Sequence, residues 1–339
     1  MQAVFITRHG PPEALQYREA PDPEAKSGEV RIAVRAAGIN FADTMLRMGL
    51  YPSDQKPPFI PGFEAAGEVD QLGEGVTTLK IGDRVAALSM RGCYASKVAV
   101  PAERVVAIPK SMCFEEAAAM PVVYVTAYHM MVRLGQLRKG ERILIHTAAG
   151  GVGIAAIQLA RWIDAEIFGT SSPGKHELLR ELGVHHPIDY RTGDWAAEVR
   201  RTSPTGVDMV LDPLGGTATK KNYDLLAPQG RLMVFGFSRA ASSGGRAGLG
   251  TLLEVARESR FNPRQMMMDN RAIFGVHIGR MNTPPEQALL IEELGELRRL
   301  FEAGIIRPTV GKTFPLAEAA EAHRFIQRRE SIGKVVLIP

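Results

Sequence analysis

A run of small residues between two apolar segments is the part of the sequence best suited to bind a ligand. Residues 146–161 read HTAAGGVGIAAIQLAR and follow the strand-like segment RILI. Ala148, Gly150 and Gly153 match the pattern G-x-G-x-x-G, with alanine in the first place. Glycine at these positions lets the backbone approach a pyrophosphate and lets the following helix pack against the strand. The pattern predicts that a dinucleotide binds at the start of this helix, through the backbone of Gly150, Gly151, Val152 and Gly153.

The residues after the next predicted strand indicate which dinucleotide binds. NAD sites usually carry Asp or Glu about 20 residues beyond the glycines, to hold the ribose 2′-hydroxyl. Here the segment 168–175 reads FGTSSPGK and contains no carboxylate. Its hydroxyls and its ammonium can donate to a 2′-phosphate, which an acidic side chain would repel. The sequence therefore predicts NADPH rather than NADH, with contacts from Thr170, Ser171, Ser172 and Lys175. The alternative for Lys175 is an ordinary solvated lysine.

Two regions with different sequence patterns indicate which elements position these residues. Up to about residue 120, short β-prone runs are separated by Gly, Pro and Asp, which is typical of a small barrel. From Glu141, strand-like and helix-like runs alternate, which predicts a doubly wound parallel sheet. The tail leaves this alternation, and we expect it to pack back onto the first module. We therefore predict an α/β protein with a substrate domain at 1–122, a Rossmann domain at 123–262 and a return segment at 263–339.

Composition and charge exclude several classes of protein. The 339 residues carry a net charge of +4 without a long basic run, so nucleic-acid binding is not indicated. The two cysteines lack disulfide or zinc spacing and suit a reducing compartment. No stretch approaches the ~20 apolar residues that span a bilayer, and the start does not resemble a signal peptide. We expect a cytoplasmic protein without stable membrane insertion.

Several motifs together carry a family resemblance. They are PGFEAAGEV, GDRV, HTAAGGVGIAAIQLAR and IGKVVLIP, which resemble the medium-chain dehydrogenase/reductase superfamily. The segment AAGINFADTMLRMGLYP is similar to the zinc-independent quinone oxidoreductase branch. DPLGG and NRAIFGVHIGRM look most like the vesicle amine transport protein-1 subgroup. The resemblance implies a GroES-like β-barrel for the substrate domain.

The resemblance also bears on metal content. Zinc-dependent members bind a catalytic metal through a Cys, a His and a second Cys or an acid. The corresponding positions here are Asn40, Phe63 and residues 122–124, and they do not supply this ligand set. We therefore expect no metal and an acceptor that takes a hydride without a Lewis acid, such as a quinone or an α,β-unsaturated carbonyl. The protein would then align the cofactor with the acceptor.

The resemblance further implies roles for residues outside the glycine turn. Asn40, Asp43 and Tyr51 would be the catalytic candidates beside the nicotinamide and the acceptor, and Asn40 would also contact the cofactor. The residue types allow simpler roles: a turn-stabilising Asn, a helix-capping Asp and a tyrosine covering the barrel rim. Further cofactor contacts would come from Thr126, Tyr190, Phe235, Gly236, Phe274, Val276 and Arg329, with Arg328 as the alternative to Arg329.

The remaining segments suggest an assembly and a possible lid. The apolar strand around Phe274–Ile278 would be an exposed sheet edge, and the resemblance implies that it pairs with its copy in a homodimer. The small-residue run from Ser238 to Gly250 is a candidate lid, and a helix is expected from Thr251. His146 is interpreted as a packed residue at a strand end.

Three functions are compatible with the sequence. An NADPH-dependent quinone oxidoreductase is the prediction. An enoyl or alkenal double-bond reductase would share the same cofactor geometry. A non-catalytic NADPH-binding regulator would bind the cofactor without turning over any acceptor.

Overall fold

The computed structural model describes most of the chain. The described residues are 1–191, 193–238, 261–281 and 283–339. The candidate lid from Ser238 to Gly250 lies outside them except for its first residue, and the start of the helix expected from Thr251 also lies outside.

The chain divides into two compact units. The first joins Met1–Val125 to Gly279–Pro339, and the second is Thr126–Ile278. The expected boundary at 123 therefore lies three residues early. The return segment begins at 279 rather than 263, because strand β13 (Ala272–Gly275) pairs in parallel with strand β12 (Leu226–Val234) of the second unit.

The first unit is mostly β-sheet. Its strands are β1 (Gln2–Ile6), β2 (Leu15–Glu19), β3 (Glu29–Ile39), β4 (Glu64–Leu72), β5 (Arg84–Leu88), β6 (Lys97–Pro101), β7 (Val105–Ala107), β14 (Val310–Pro315) and β15 (Lys334–Ile338). Its helices are α1 (Phe41–Met48), α2 (Phe114–Ala118), α9 (Pro284–Glu302) and α10 (Ala319–Gln327), and helix α3 (Pro121–Tyr128) leads into the second unit. One sheet has the order β14-β15-β3-β4-β5-β7, and β6 also pairs with β3.

The tail completes this sheet, as the sequence predicts. β15 runs antiparallel to β3, with Val335 opposite Ile39. The first half of β3 alternates between buried and more exposed side chains, which matches the period of two in its sequence. Its buried residues Val30, Ile32 and Val34 belong to the core of the unit.

The second unit is a doubly wound sheet. Its strands also include β8 (Arg142–Ile145), β9 (Glu166–Ser171), β10 (His186–Asp189) and β11 (Val207–Asp212). Its helices are α4 (Gly151–Ile163), α5 (His176–Glu181), α6 (Trp195–Thr202), α7 (Thr217–Asp224) and α8 (Pro263–Asp269). The order β10-β9-β8-β11-β12-β13, with every pair parallel, is the Rossmann order 3-2-1-4-5-6. The predicted fold class is confirmed.

Candidate functional site

The small-residue turn lies between β8 and α4. Gly150 is the residue that precedes α4, and no side chain caps this helix end. A Cβ on Gly153 would lie 2.5 Å from the carbonyl oxygens of Thr147 and Ala148, so only glycine fits there. The predicted close approach of helix and turn is therefore observed. The first N–H groups of α4 lack partners within the helix, which makes this end suited to a phosphate.

The hydroxyls that follow the fingerprint lie partly inside the fold. Thr170 is 2% exposed, and its Oγ1 lies 3.0 Å from Nδ1 of His146 and accepts the backbone N–H of Thr147. Ser171 is 4% exposed, and its hydroxyl donates to the carbonyl of Ser172. Thr170 therefore orders the strand ends, and a direct contact from it to a phosphate stays a prediction.

A cationic cluster lies at the carboxyl ends of β9 and β10. Burial lowers the pKa of Lys175, the neighbouring Tyr190 opposes this effect, and Arg191 adds to it. Tyr190 and Arg191 therefore both lie near Lys175. The sequence reasoning selected Lys175 and Tyr190 but missed Arg191, although this arginine directly follows the PIDY segment. Two cations at this edge suit a ribose 2′-phosphate.

His146 is a packed residue, as its position at a strand end suggests. Its Nε2 lies 2.8 Å from the amide oxygen of Asn222, and its ring packs edge-on against Trp195. Burial lowers the pKa of His146, with the nearby Asp212 opposing it. These contacts hold the carboxyl end of β8 in place under the glycine turn.

Four residues of the second unit that the sequence predicts on the nicotinamide side lie at the carboxyl ends of the neighbouring strands β12 and β13. Phe235 and Gly236 follow β12, and a Cβ on Gly236 would lie 3.0 Å from the carbonyl oxygen of Pro213. Phe274 lies in β13, opposite Met233. The N–H of Val276 donates to Val234, so a contact from Val276 to a carboxamide would use its carbonyl oxygen. Thr126 is a buried residue at the start of this unit.

The two adjacent C-terminal arginines differ in their surroundings. Arg328 forms ion pairs with Glu321 and Glu330, both at 2.8 Å. Arg329 follows with φ 61°, in the left-handed region. Arg329 stays our prediction for a phosphate contact, with Arg328 as the alternative.

The catalytic candidates of the first unit lie around the start of α1. Asn40 is the capping residue of this helix, and its backbone N–H donates to the Asp43 carboxylate at 2.7 Å. The two residues thus form a capping box, which is the simpler role that their residue types allow. Tyr51 lies with its ring centroid 5.7 Å from that of Phe63. Burial raises the pKa of Tyr51 to about 12, and the charge of Asp43 adds to this effect.

The side chain of Asn40 contacts both members of a buried ion pair, Glu64 and Lys334. The amide Nδ2 donates to Glu64 Oε1 at 2.7 Å, and the backbone N–H of Val122 donates to Glu64 Oε2 at 2.8 Å. Lys334, at the start of β15, forms an ion pair with Glu64 and donates to Asn40 Oδ1. The sequence reasoning missed Lys334 in this role, although a lysine heading the apolar run KVVLIP was a visible signal.

A second polar chain lies on the other side of Asp43. Arg47 Nε donates to Nδ1 of His323, so Nε2–H of this neutral ring faces the Tyr94 hydroxyl at 3.2 Å. The nearby Tyr94 hydroxyl favours the charged form of the Asp43 carboxyl and so acts to lower its pKa. Burial raises the pKa of Asp43 to about 7, although the N–H of Asn40 stabilises the carboxylate.

The raised pKa predicts a pH dependence of stability. A carboxyl with a pKa near 7 in the folded state and an ordinary pKa of 3.8 in the unfolded chain stabilises the fold at low pH, and this contribution is lost as pH rises through 7. We expect the free energy of unfolding of the wild type to fall by about 3 kcal/mol between about pH 5 and about pH 8, and we expect this fall to be absent in Asp43→Asn. Urea unfolding of both proteins at several pH values measures this difference. Parallel pH curves for the two proteins would contradict it.

Comparisons with known proteins place this architecture. The model of the alcohol dehydrogenase GroES-like domain matches residues 26–110, and the model described as zinc-binding dehydrogenase matches residues 182–337. The synaptic vesicle membrane protein VAT-1 homolog of Rattus norvegicus is 42% identical over 330 residues, which cover 96% of this chain and 80% of that protein. In the described part of this chain, no helix combines the length and apolarity needed to cross a bilayer.

Two solved structures are similar over nearly the whole chain. The Escherichia coli quinone oxidoreductase complexed with NADPH has a TM-score of 0.86 and 31% identity, with all of both chains covered. The CurK enoyl reductase has a TM-score of 0.84 and 31% identity, covering 99% of this chain and 98% of the other.

The described residues do not fit the zinc ion that one family name implies. They contain no group of three or more His, Cys, Asp or Glu side chains placed to hold a metal. Near Asn40 and Phe63, the carboxylate of Glu64 is paired with the Lys334 ammonium, which has no lone pair to offer a metal. The sequence, the fold and the relatives agree on one assignment: the chain belongs to the medium-chain dehydrogenase/reductase family of oxidoreductases, among the VAT-1 homologs.

Proposed function

We propose that this chain is a zinc-independent oxidoreductase that transfers a hydride from NADPH to a quinone or a similar conjugated carbonyl acceptor. The observation that carries the proposal is the uncapped start of α4, whose third residue, Gly153, packs so closely on the preceding turn that only glycine fits. The likeness to the quinone oxidoreductase complexed with NADPH supports both the cofactor and the reaction.

The second unit would bind the cofactor, which supplies the hydride when bound. Backbone N–H groups from Gly151 to Gly153 would hold the pyrophosphate at the positive end of α4, since the N–H of Gly150 donates to the carbonyl of Thr147. Lys175 and Arg191, with the hydroxyl of Ser172, would hold the 2′-phosphate through charge-assisted hydrogen bonds. Phe235, Gly236, Phe274 and Val276 would line the nicotinamide side.

The first unit would serve the acceptor. A quinone oxygen gains negative charge as the hydride arrives, and a hydrogen-bond donor stabilises this charge. Tyr51 keeps its proton at neutral pH as tyrosines ordinarily do, and burial raises its pKa further, to about 12. Tyr51 would therefore donate to that oxygen, with the Asn40 amide as a second donor.

An enoyl or alkenal reductase is the second candidate. The similarity to the CurK enoyl reductase favours it, since that match has nearly the same TM-score and identity as the quinone oxidoreductase. Such a reaction adds a proton to carbon after the hydride, and the hydroxyl of Tyr51 would supply it.

Steady-state assays separate these functions. We expect NADPH to be oxidised fastest with a quinone, more slowly with an alkenal and slowest with an enoyl thioester. A higher kcat/KM for the enoyl thioester would select the second candidate. NADPH binding without oxidation by any of the three acceptors would contradict both and leave a non-catalytic NADPH-binding regulator.

We also propose a cytoplasmic homodimer. β13 lies at an edge of its sheet within the described residues, where pairing with its copy would continue the sheet. Cys93 and Cys113 are free cysteines, which supports a reducing compartment.

A further inference from the structure

Lys334 is a charged residue in the interior of the first unit. It is 3% exposed and heads the apolar strand β15. Buried lysines are rare unless they are paired, and Lys334 is paired with Glu64, which is 0% exposed. Removing two charges from water has a large cost, so a pair at this depth calls for a reason beyond stability.

The space around the Glu64 carboxylate is closely shaped. A Cβ on Gly38 would lie 2.6 Å from Glu64 Oε1 and 2.4 Å from the carbonyl oxygen of Ala118. The N–H of Val122 fixes the second carboxylate oxygen. Four chain segments, β3, β4, the start of α3 and β15, therefore meet at this one carboxylate.

The ion pair determines the orientation of the Asn40 amide. Oδ1 accepts from the Lys334 ammonium, and Nδ2 donates to Glu64. A flipped amide would place its NH₂ against the ammonium and its oxygen against the carboxylate, and both hydrogen bonds would be lost. An asparagine amide has two N–H groups, and Glu64 Oε1 engages one of them. The pair therefore aims the remaining N–H of Asn40 in one direction.

We infer that the Lys334 ammonium, held by Glu64, takes the part of a fixed metal cation and positions the Asn40 amide for the hydride acceptor. The inference rests on the proposed function, since it assigns Lys334 and Glu64 as positioning residues for that reaction. Both residues act through Asn40. The positive charge belongs to a residue of the chain, whereas zinc-dependent relatives would take theirs up from solution as a metal ion.

A neutral replacement of the pair tests positioning apart from stability. The double variant Glu64→Gln/Lys334→Met removes both charges and should keep the fold. We expect its kcat with a quinone to fall at least tenfold, while the Kd for NADPH changes less than twofold. Lys312→Ala, which removes an exposed lysine on the neighbouring strand β14, is the control and should keep the wild-type kcat. A folded double variant with wild-type kcat would overturn the inference.

Chemical rescue tests the charge itself. In Lys334→Ala, propylammonium should restore kcat at least fivefold in a saturable way, whereas 1-propanol of similar size should have no effect. Equal rescue by the alcohol would show that volume, and not charge, is what Lys334 supplies. If Lys334→Ala does not fold, the double variant still decides the question.

A spectroscopic measurement keeps the inference separate from the proposed activity. Selective ¹⁵N labelling of asparagine gives a side-chain signal for Asn40, assigned by its absence in Asn40→Asp. We expect hydrogen exchange of this amide to be at least tenfold faster in the double variant than in the wild type. If the wild type oxidises no NADPH with any acceptor, the proposed function fails, and the exchange rate still reports whether the pair fixes Asn40. Unchanged exchange would overturn the inference even in an active enzyme.

Discussion

Replacing Lys334 by methionine is expected to lower the free energy of unfolding by about 3–5 kcal/mol, because Glu64 is left as a buried charge without a counter-ion. Methionine fills a similar volume, so lost packing contributes little. Urea unfolding at neutral pH measures the change. A loss below about 1 kcal/mol would show that the carboxylate is not held as a buried anion.

The double variant serves as the control for this prediction. Glu64→Gln should also destabilise the fold, since the Lys334 ammonium then lacks its partner. Glu64→Gln/Lys334→Met should recover most of the stability, because neutral side chains avoid the cost of desolvating two ions. The summed loss of unfolding free energy in the two single variants would thus exceed the loss in the double variant, which is the signature of direct coupling.

Removing the positive charge of Lys175 is expected to produce the largest change in cofactor affinity. A charge-assisted hydrogen bond contributes about 1.5–3 kcal/mol, so Lys175→Ala should raise the Kd for NADPH by about 10- to 100-fold. Arg191→Ala should have a smaller effect, about fivefold, because this residue is exposed and water screens its charge. Fluorescence titration with NADPH and NADH measures both constants.

The comparison with NADH gives this prediction its control. NADH lacks the 2′-phosphate, so its Kd should change less than twofold in both variants. Lys220→Ala removes an exposed lysine on α7 that pairs with Asp224 and should leave both constants unchanged. An equal loss of NADH and NADPH affinity in Lys175→Ala would place this lysine elsewhere than at the 2′-phosphate.

Local patterns were sufficient to predict the fold. The alternation in β3 and the repeated strand–helix units after Glu141 are properties of neighbouring residues, and they determine the sheet type. The glycine fingerprint was also predictable, because the carbonyl groups of residues just before Gly153 leave no room for a Cβ there. The boundary at 279 was missed because the sixth strand of the Rossmann sheet follows a long segment without a recognisable repeat.

The buried charges could not be predicted in the same way. Glu64 and Lys334 are 270 positions apart, and nothing near either residue indicates the other. Thr170 shows a related difficulty, since its side chain turns inward to His146, which no hydrophobic pattern predicts. Asn40 and Asp43 were recognised through resemblance, whereas their capping box follows from their spacing of three residues.

The central claim is that this chain delivers a hydride from NADPH to an electrophilic acceptor with a lysine ion pair where zinc-dependent relatives hold their metal. An anaerobic single-turnover experiment tests it most directly. Protein dialysed against a chelator is loaded with stoichiometric NADPH and mixed with excess quinone, while the absorbance of the reduced nicotinamide is followed. We predict complete oxidation at the same rate before and after chelation, and at least tenfold faster than with NADH. Absence of oxidation, or activity that is lost on chelation and restored by zinc, would contradict the account.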